Sequence, residues 1–192
     1  MDLLPELVDE RTRVVAVTQA SNTLGTRPDL RPVVEAAHAV GAVVVVDGCQ
    51  GVVHGGVNVR EMDCDFYAFS GHKLYGPTGI GVLYGKRDLL EKMPPFLGGG
   101  DMVDTVTFKK TTYAPVPLKF EAGTANFVGA IGLGEAVKFV QQFDTAEVEA
   151  HEEALLRRAT ERLTAIDGLR IYGTAPGKCA IVSFNVEGVH PY

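Results

Sequence analysis

Three things are scarce in this 192-residue sequence: cysteine, long apolar runs and basic clusters. Cys49, Cys64 and Cys179 are odd in number and far apart. That spacing fits neither a disulfide framework nor a metal-ligand pattern. The longest aliphatic run, Ala42 to Val46, falls far short of the roughly 20 apolar residues a membrane-spanning helix needs. The opening MDLLPELVDERTR is acidic where a secretory leader needs a basic start and an apolar middle. Net charge is −6, the sequence pI is about 5.4, and Lys109-Lys110 is a lone basic pair suited to a solvated turn. Nucleic acid is therefore not expected as a partner, nor is a membrane, and the expected location is cytoplasmic. No internal repeat or low-complexity segment stands out.

What is present suits a packed core: 46% of residues are hydrophobic and 22% charged. Val14 to Val17 reads as a buried strand. Pro28 to Val40 reads as a helix with Val33, Val34, Ala37 and Val40 on one face. Ala42 to Val46 is apolar without alternation, as in a parallel strand covered on both faces. Phe66 to Phe69 and Gly79 to Tyr84 are further strands. This order predicts an α/β layered sheet. Leu89 to Met93 reads as a short helix. A longer one is expected from Phe127 to Phe143, with Phe127, Ile131, Gly134, Val137 and Val140 near one face. Asp144 can cap the next helix, with Glu147 completing a capping box. Its expected core stripe is Val148, Leu155, Ala159, Leu163 and Ile166. Strands near Leu169 to Tyr172 and Ala180 to Val186 follow. A domain boundary is expected near Phe143, dividing residues 1–143 from 144–192. Both ends read as cut, so the chain is expected to be part of a longer protein.

Ligands of open α/β sheets bind beyond the carboxyl ends of the strands. Polar residues gather at three such ends: Ser21 and Asn22 after the first strand, Asp47 and Gln50 after the second, Ser70, His72 and Lys73 after the third. Lys73 lies 26 residues after Asp47, enough chain to cross to a neighbouring strand and return to the same edge. An amine, a carboxylate and short hydroxyl donors at one rim suit pyridoxal 5'-phosphate. Its aldehyde needs an amine, its ring nitrogen a carboxylate, and its phosphate small donors. Taken alone, Lys73 also reads as an ordinary loop lysine and Asp47 as a turn cap. Asn22 and Gln50 also close loops by bonding backbone. His38, His54, His151 and His190 read as packing or surface histidines, and Cys179 as a small core residue.

VVVVDGCQ followed by DFYAFSGHKLYGPTGIG, with TQASNTLGT, GGGDM and KFEAGTANF, resembles the class V aminotransferase family. Within it the likeness is to the SufS-like cysteine desulfurases of the SUF system. The resemblance implies the fold type I architecture of pyridoxal phosphate-dependent transferases. Residues 1–143 would be a partial large domain with a mostly parallel sheet, and residues 144–192 the start of an α+β small domain. It implies Lys73 as the Schiff-base lysine and Asp47 as the pyridinium partner. Asn22 and Gln50 would meet the phenolic oxygen, Ser70 and His72 the phosphate. Thr124 would reach the phosphate held by the neighbouring subunit, which implies a homodimer. The implied reaction converts L-cysteine to L-alanine and passes sulfur as a persulfide to a SUF-type acceptor protein for iron–sulfur cluster assembly.

The family's ring-stacking histidine and a phosphate threonine would lie upstream of residue 1. Its nucleophilic cysteine and substrate-binding arginine would lie downstream of residue 192. Lys119, Ala125 and Cys49 depart from the more usual arginine, proline and alanine. A selenocysteine lyase or another C–S lyase or aminotransferase of the family remains an alternative. So does a catalytically inert fragment that serves in folding or dimerisation.

Overall fold

The computed structural model describes residues 3–190. After a single-turn helix, α1 (Leu4–Leu7), strands β1 (Val14–Thr18), β2 (Val43–Asp47) and β3 (Phe66–Ser70) lie side by side and parallel. β4 (Gly81–Gly85) runs antiparallel on the outer edge of β3. Helix α2 (Arg31–Ala39) crosses from β1 to β2, and the short α3 (Val59–Met62) precedes β3. A mostly parallel α/β sheet is thus the frame.

The core forms where β-branched residues of β2 meet the apolar stripe of α2. Val44 and Val46 are wholly buried, with Leu30, Val34, Ala37, Cys64 and Tyr67 around them. Val43 and Val45, on the opposite face of β2, are only half-buried. Full cover was expected on both faces, but among the described residues only the α2 face has it.

Beyond β4 come α4 (Arg87–Lys92) and a hairpin of β5 (Val103–Val106) and β6 (Thr111–Tyr113). Next are α5 (Phe127–Val140), α6 (Thr145–Thr164) and a second hairpin, β7 (Leu169–Tyr172) with β8 (Ser183–Val186). Asp144 caps α6 as expected, accepting from the backbone N–H groups of Ala146 and Glu147.

Two expected helix faces differ in part from those observed. α5 buries Gly129, Leu133 and Ala136, while Phe127 and Ile131 are exposed. Apart from Glu135 and Lys138 its residues are all apolar or glycine, so its periodicity does not single out one buried face. What chooses is the turn Gly71–Leu74, against which α5 packs, with Leu133 Cδ1 set beside Gly71 and Gly76. On α6, Ala159 and Leu163 turn inward as expected, with Glu152, Leu156 and Thr160, whereas Val148 and Leu155 are exposed, as is Ile166 beyond the helix end. Packing on β7 sets that face, and acidic Glu152 belongs to it because His54 receives it. The last strand begins at Ser183, not Ala180, because Cys179 N–H bonds to the Gly25 carbonyl and not to a strand partner.

Candidate functional site

Parallel pairing fixes the site. Thr18 is in register with Asp47, and Asp47 with Ala68, so the three strands end together on one edge. The chain turns sharply after each. After β1, Ser21 Oγ accepts from the Thr23 and Leu24 N–H groups and holds a tight turn carrying Asn22. After β2, Asp47 Oδ1 accepts from Cys49 N–H at 2.9 Å. After β3, a 3₁₀ turn spans Gly71–Leu74 and presents His72 and Lys73.

These ends enclose a cavity of about 250 Å³, lined by Thr18, Ala20, Ser21, Asn22, Asp47, Cys49, Gln50 and Lys73. Lys73 and Asp47 therefore line one cavity, together with Asn22 and Gln50. Lys73 and Asp47 are exposed, so the chamber opens to solvent. Ser70, His72 and Thr124 do not line it. Ser70 stands at the end of β3, half-buried, with Cys49 Sγ 4.0 Å from its hydroxyl. His72 is exposed on the 3₁₀ turn, and Thr124 is exposed in the loop before α5.

Packing beneath the cavity is tight. A Cβ on Gly48 would lie 1.9 Å from the Tyr67 ring, so only glycine lets the β2 loop settle there. Tyr67 Oη donates to Gln19 Oε1 at 2.6 Å. Burial, then the nearby Cys64, Cys49 and Asp47, push its phenol well above the ordinary value, which keeps that proton in place. Above the turn, Asn126 joins α5 to the glycine-rich loop. Its Oδ1 accepts from Gly129 N–H and its Nδ2 donates to the Gly79 carbonyl at 3.2 Å.

Sequence reasoning missed Thr18, Ala20 and Cys49 as cavity walls. For the first two, register with Asp47 and nearness to Asn22 were available as signals. It also missed Arg27 and the partner of His54, a histidine read as packing or surface; both residues lie outside the cavity lining and meet the C-terminal part of the chain. His54 Nδ1 is 2.9 Å from Glu152 Oε2. No local pattern announces such a pair, since 98 residues separate its members.

The class-V aminotransferase family profile matches residues 1–192. A cysteine desulfurase of Dickeya dadantii is 50% identical over 193 aligned residues, which take in 100% of this chain and 47% of that protein. A cysteine desulfurase of Synechococcus elongatus is 48% identical over 191 residues, again 100% of this chain but 30% of that protein. The crystal structure of the cysteine desulfurase CsdA from Escherichia coli superposes with a TM-score of 0.94 at 47% identity, over 98% of this chain and 47% of that one. The chain thus spans less than half the length of the curated relatives it matches.

Proposed function

The chain belongs to the class-V aminotransferase family, and from that membership we propose that it is part of a pyridoxal 5'-phosphate-dependent cysteine desulfurase of the SUF type. The substrate is L-cysteine, the organic product L-alanine, and the sulfur passes as a persulfide to an acceptor protein serving iron–sulfur cluster assembly. The observation that carries this reading is the meeting of Lys73 and Asp47 in one cavity. Relatives named cysteine desulfurase along the whole chain support it.

The residues fit the cofactor by the chemistry of their donors. An amine, a carboxylate and two carboxamides around one chamber match an aldehyde, a ring nitrogen and a phenolic oxygen on one small aromatic ring. When bound, the cofactor supplies an electron sink for bonds breaking at the substrate's Cα and Cβ. Lys73 would be the amine that anchors the cofactor and would carry protons at those two carbons. Asp47 would pair with the ring nitrogen and favour its protonated form. Asn22 and Gln50 orient the phenolic oxygen. Ser70 and His72 serve the phosphate, and Thr124 serves the phosphate of a neighbouring subunit in a homodimer. Residues 1–143 act as part of the large domain, and residues 144–192 begin the small one.

Borohydride reduction of the cofactor-loaded full-length protein, followed by peptide mapping, tests the assignment. The reduced cofactor is expected on Lys73, and Lys73→Ala is expected to carry none. Label on another lysine, or none on a loaded wild-type protein, sinks it.

A further inference from the structure

Outside the cavity lining, a set of charged contacts joins segments far apart in the sequence. Arg27 stands at its centre. Its Nε donates to Cys179 Sγ at 3.0 Å, its Nη1 faces Glu149 Oε1 at 3.4 Å, and its Nη2 donates to the His54 carbonyl. Glu149 and Glu152 lie three residues apart on α6, on one face of its first half. Glu152 holds the His54 ring. The helix is thus tied to His54 twice, once directly and once through Arg27.

A backbone clasp accompanies these side chains. Cys179 N–H donates to the Gly25 carbonyl at 2.8 Å, and Ser183 Oγ donates to the Thr23 carbonyl. Gly25 has φ +73°, and a Cβ there would lie 2.8 Å from the Cys179 carbonyl oxygen, so the two segments lie in close contact. The gripped pieces are the Ser21–Gly25 turn, which carries Asn22, and the loop from Gly48 to His54, which carries Cys49 and Gln50. Within that loop Val52 N–H donates to the Gly48 carbonyl and His54 N–H to the Gly51 carbonyl, so a pull on His54 is felt near Gln50.

We propose that Arg27 is a positioning residue that couples the seating of α6 to the filling of the cavity, by fixing the two loops that carry Asn22 and Gln50. The proposal rests on the cavity being the pyridoxal phosphate site. An arginine suits the task because its planar fork reaches a thiol, a carboxylate and a carbonyl at once, which a lysine ammonium cannot do in the same geometry. Coupling of this kind is reciprocal: whatever α6 does for the cofactor, the cofactor does for α6.

The test titrates pyridoxal 5'-phosphate into apo full-length protein, followed by absorbance, for wild type, Arg27→Gln, Arg27→Lys and Glu149→Gln. Glu149 is 45% exposed, so its amide variant keeps the fold even if an Arg27 variant does not. Arg27→Gln and Glu149→Gln are each expected to weaken binding by about 5–10-fold, the lower part of the usual coupling range. Arg27→Lys is expected to restore only part of it. In parallel, amide hydrogen exchange of residues 145–152 is expected to slow on cofactor addition in wild type but not in Arg27→Gln. Lower melting temperatures with unchanged cofactor affinity, or an unchanged exchange response in Arg27→Gln, overturn the coupling alone. A wild-type protein that takes up no pyridoxal phosphate overturns the site reading and the coupling with it.

Discussion

Asp65 shows how much one buried carboxylate organises. It sits just before β3, 6% exposed, and receives Val44 N–H at 2.7 Å, the His38 ring at 2.9 Å and the Lys86 ammonium at 2.9 Å. Burial raises its pKa, but the Val44 N–H, His38 and Lys86 together outweigh burial and hold it below the ordinary aspartate value. A depressed folded-state value means that its stabilisation is present above the unfolded pKa, about 3.9, and is lost as pH falls through the folded one. Urea unfolding of Asp65→Asn is therefore expected to show a loss of roughly 1–3 kcal/mol at neutral pH and a shallower fall in acid than wild type. Equal losses at neutral pH and at pH 3 would contradict this. Gly48 makes a second residue-scale case. In Gly48→Ala the new methyl must displace the Tyr67 ring or the loop that carries Gln50, at a cost of about 1–3 kcal/mol. Thermal denaturation and cofactor titration of that variant are both expected to suffer.

Among the elements, α5 matters most to the site although it contributes nothing to the cavity wall. It packs on the Gly71–Leu74 turn and so sets where Lys73 stands. Leu133 is 7% exposed and is the residue that fills this contact. Leu133→Ala is expected to cost about 2–5 kcal/mol by chemical denaturation and to weaken cofactor uptake, because the turn loses its support. Unaltered stability would mean that the turn holds itself. The strands of the main sheet could be read from their apolar β-branched runs, and the site at their ends from Asp47, Lys73, Asn22 and Gln50. The β5–β6 hairpin escaped because it is short, threonine-rich and largely exposed, with no alternation to mark it. The face of α5 escaped because, Glu135 and Lys138 apart, apolar residues and glycines occupy nearly all of its circumference. On α6 the expected Ala159 and Leu163 do turn inward, but Leu156 takes the place of Leu155, and Glu152 was passed over because an acidic residue on the inward face does not look like core. Arg27 and His54 were illegible for another reason: their partners lie 98 to 152 residues away, and only the fold brings them near.

Across the whole molecule, burial is uneven in a way that bears on the proposed division after residue 143. The wholly buried Val44 and Val46 belong to the first part, whereas no residue of α6 is buried. The later part meets the earlier one through Glu149 and Glu152 of α6 and through Cys179 and Ser183, in polar contacts at Arg27, His54, Gly25 and Thr23. Contacts of that kind open at lower free energy than a packed sheet, since ion pairs near the surface add little and backbone bonds there meet water readily. Hydrogen exchange of the full-length protein is accordingly expected to fall into two tiers. Amides of β2, Val43–Asp47, should exchange only through global unfolding. Those of α6 should exchange earlier, through an opening that leaves β1–β4 intact. Moderate salt should lower protection in α6 more than in β2, because screening acts on the Arg27–Glu149 pair and not on the valine core. Equal protection in both, moving together with denaturant, would mean one cooperative unit and would remove the boundary at residue 143.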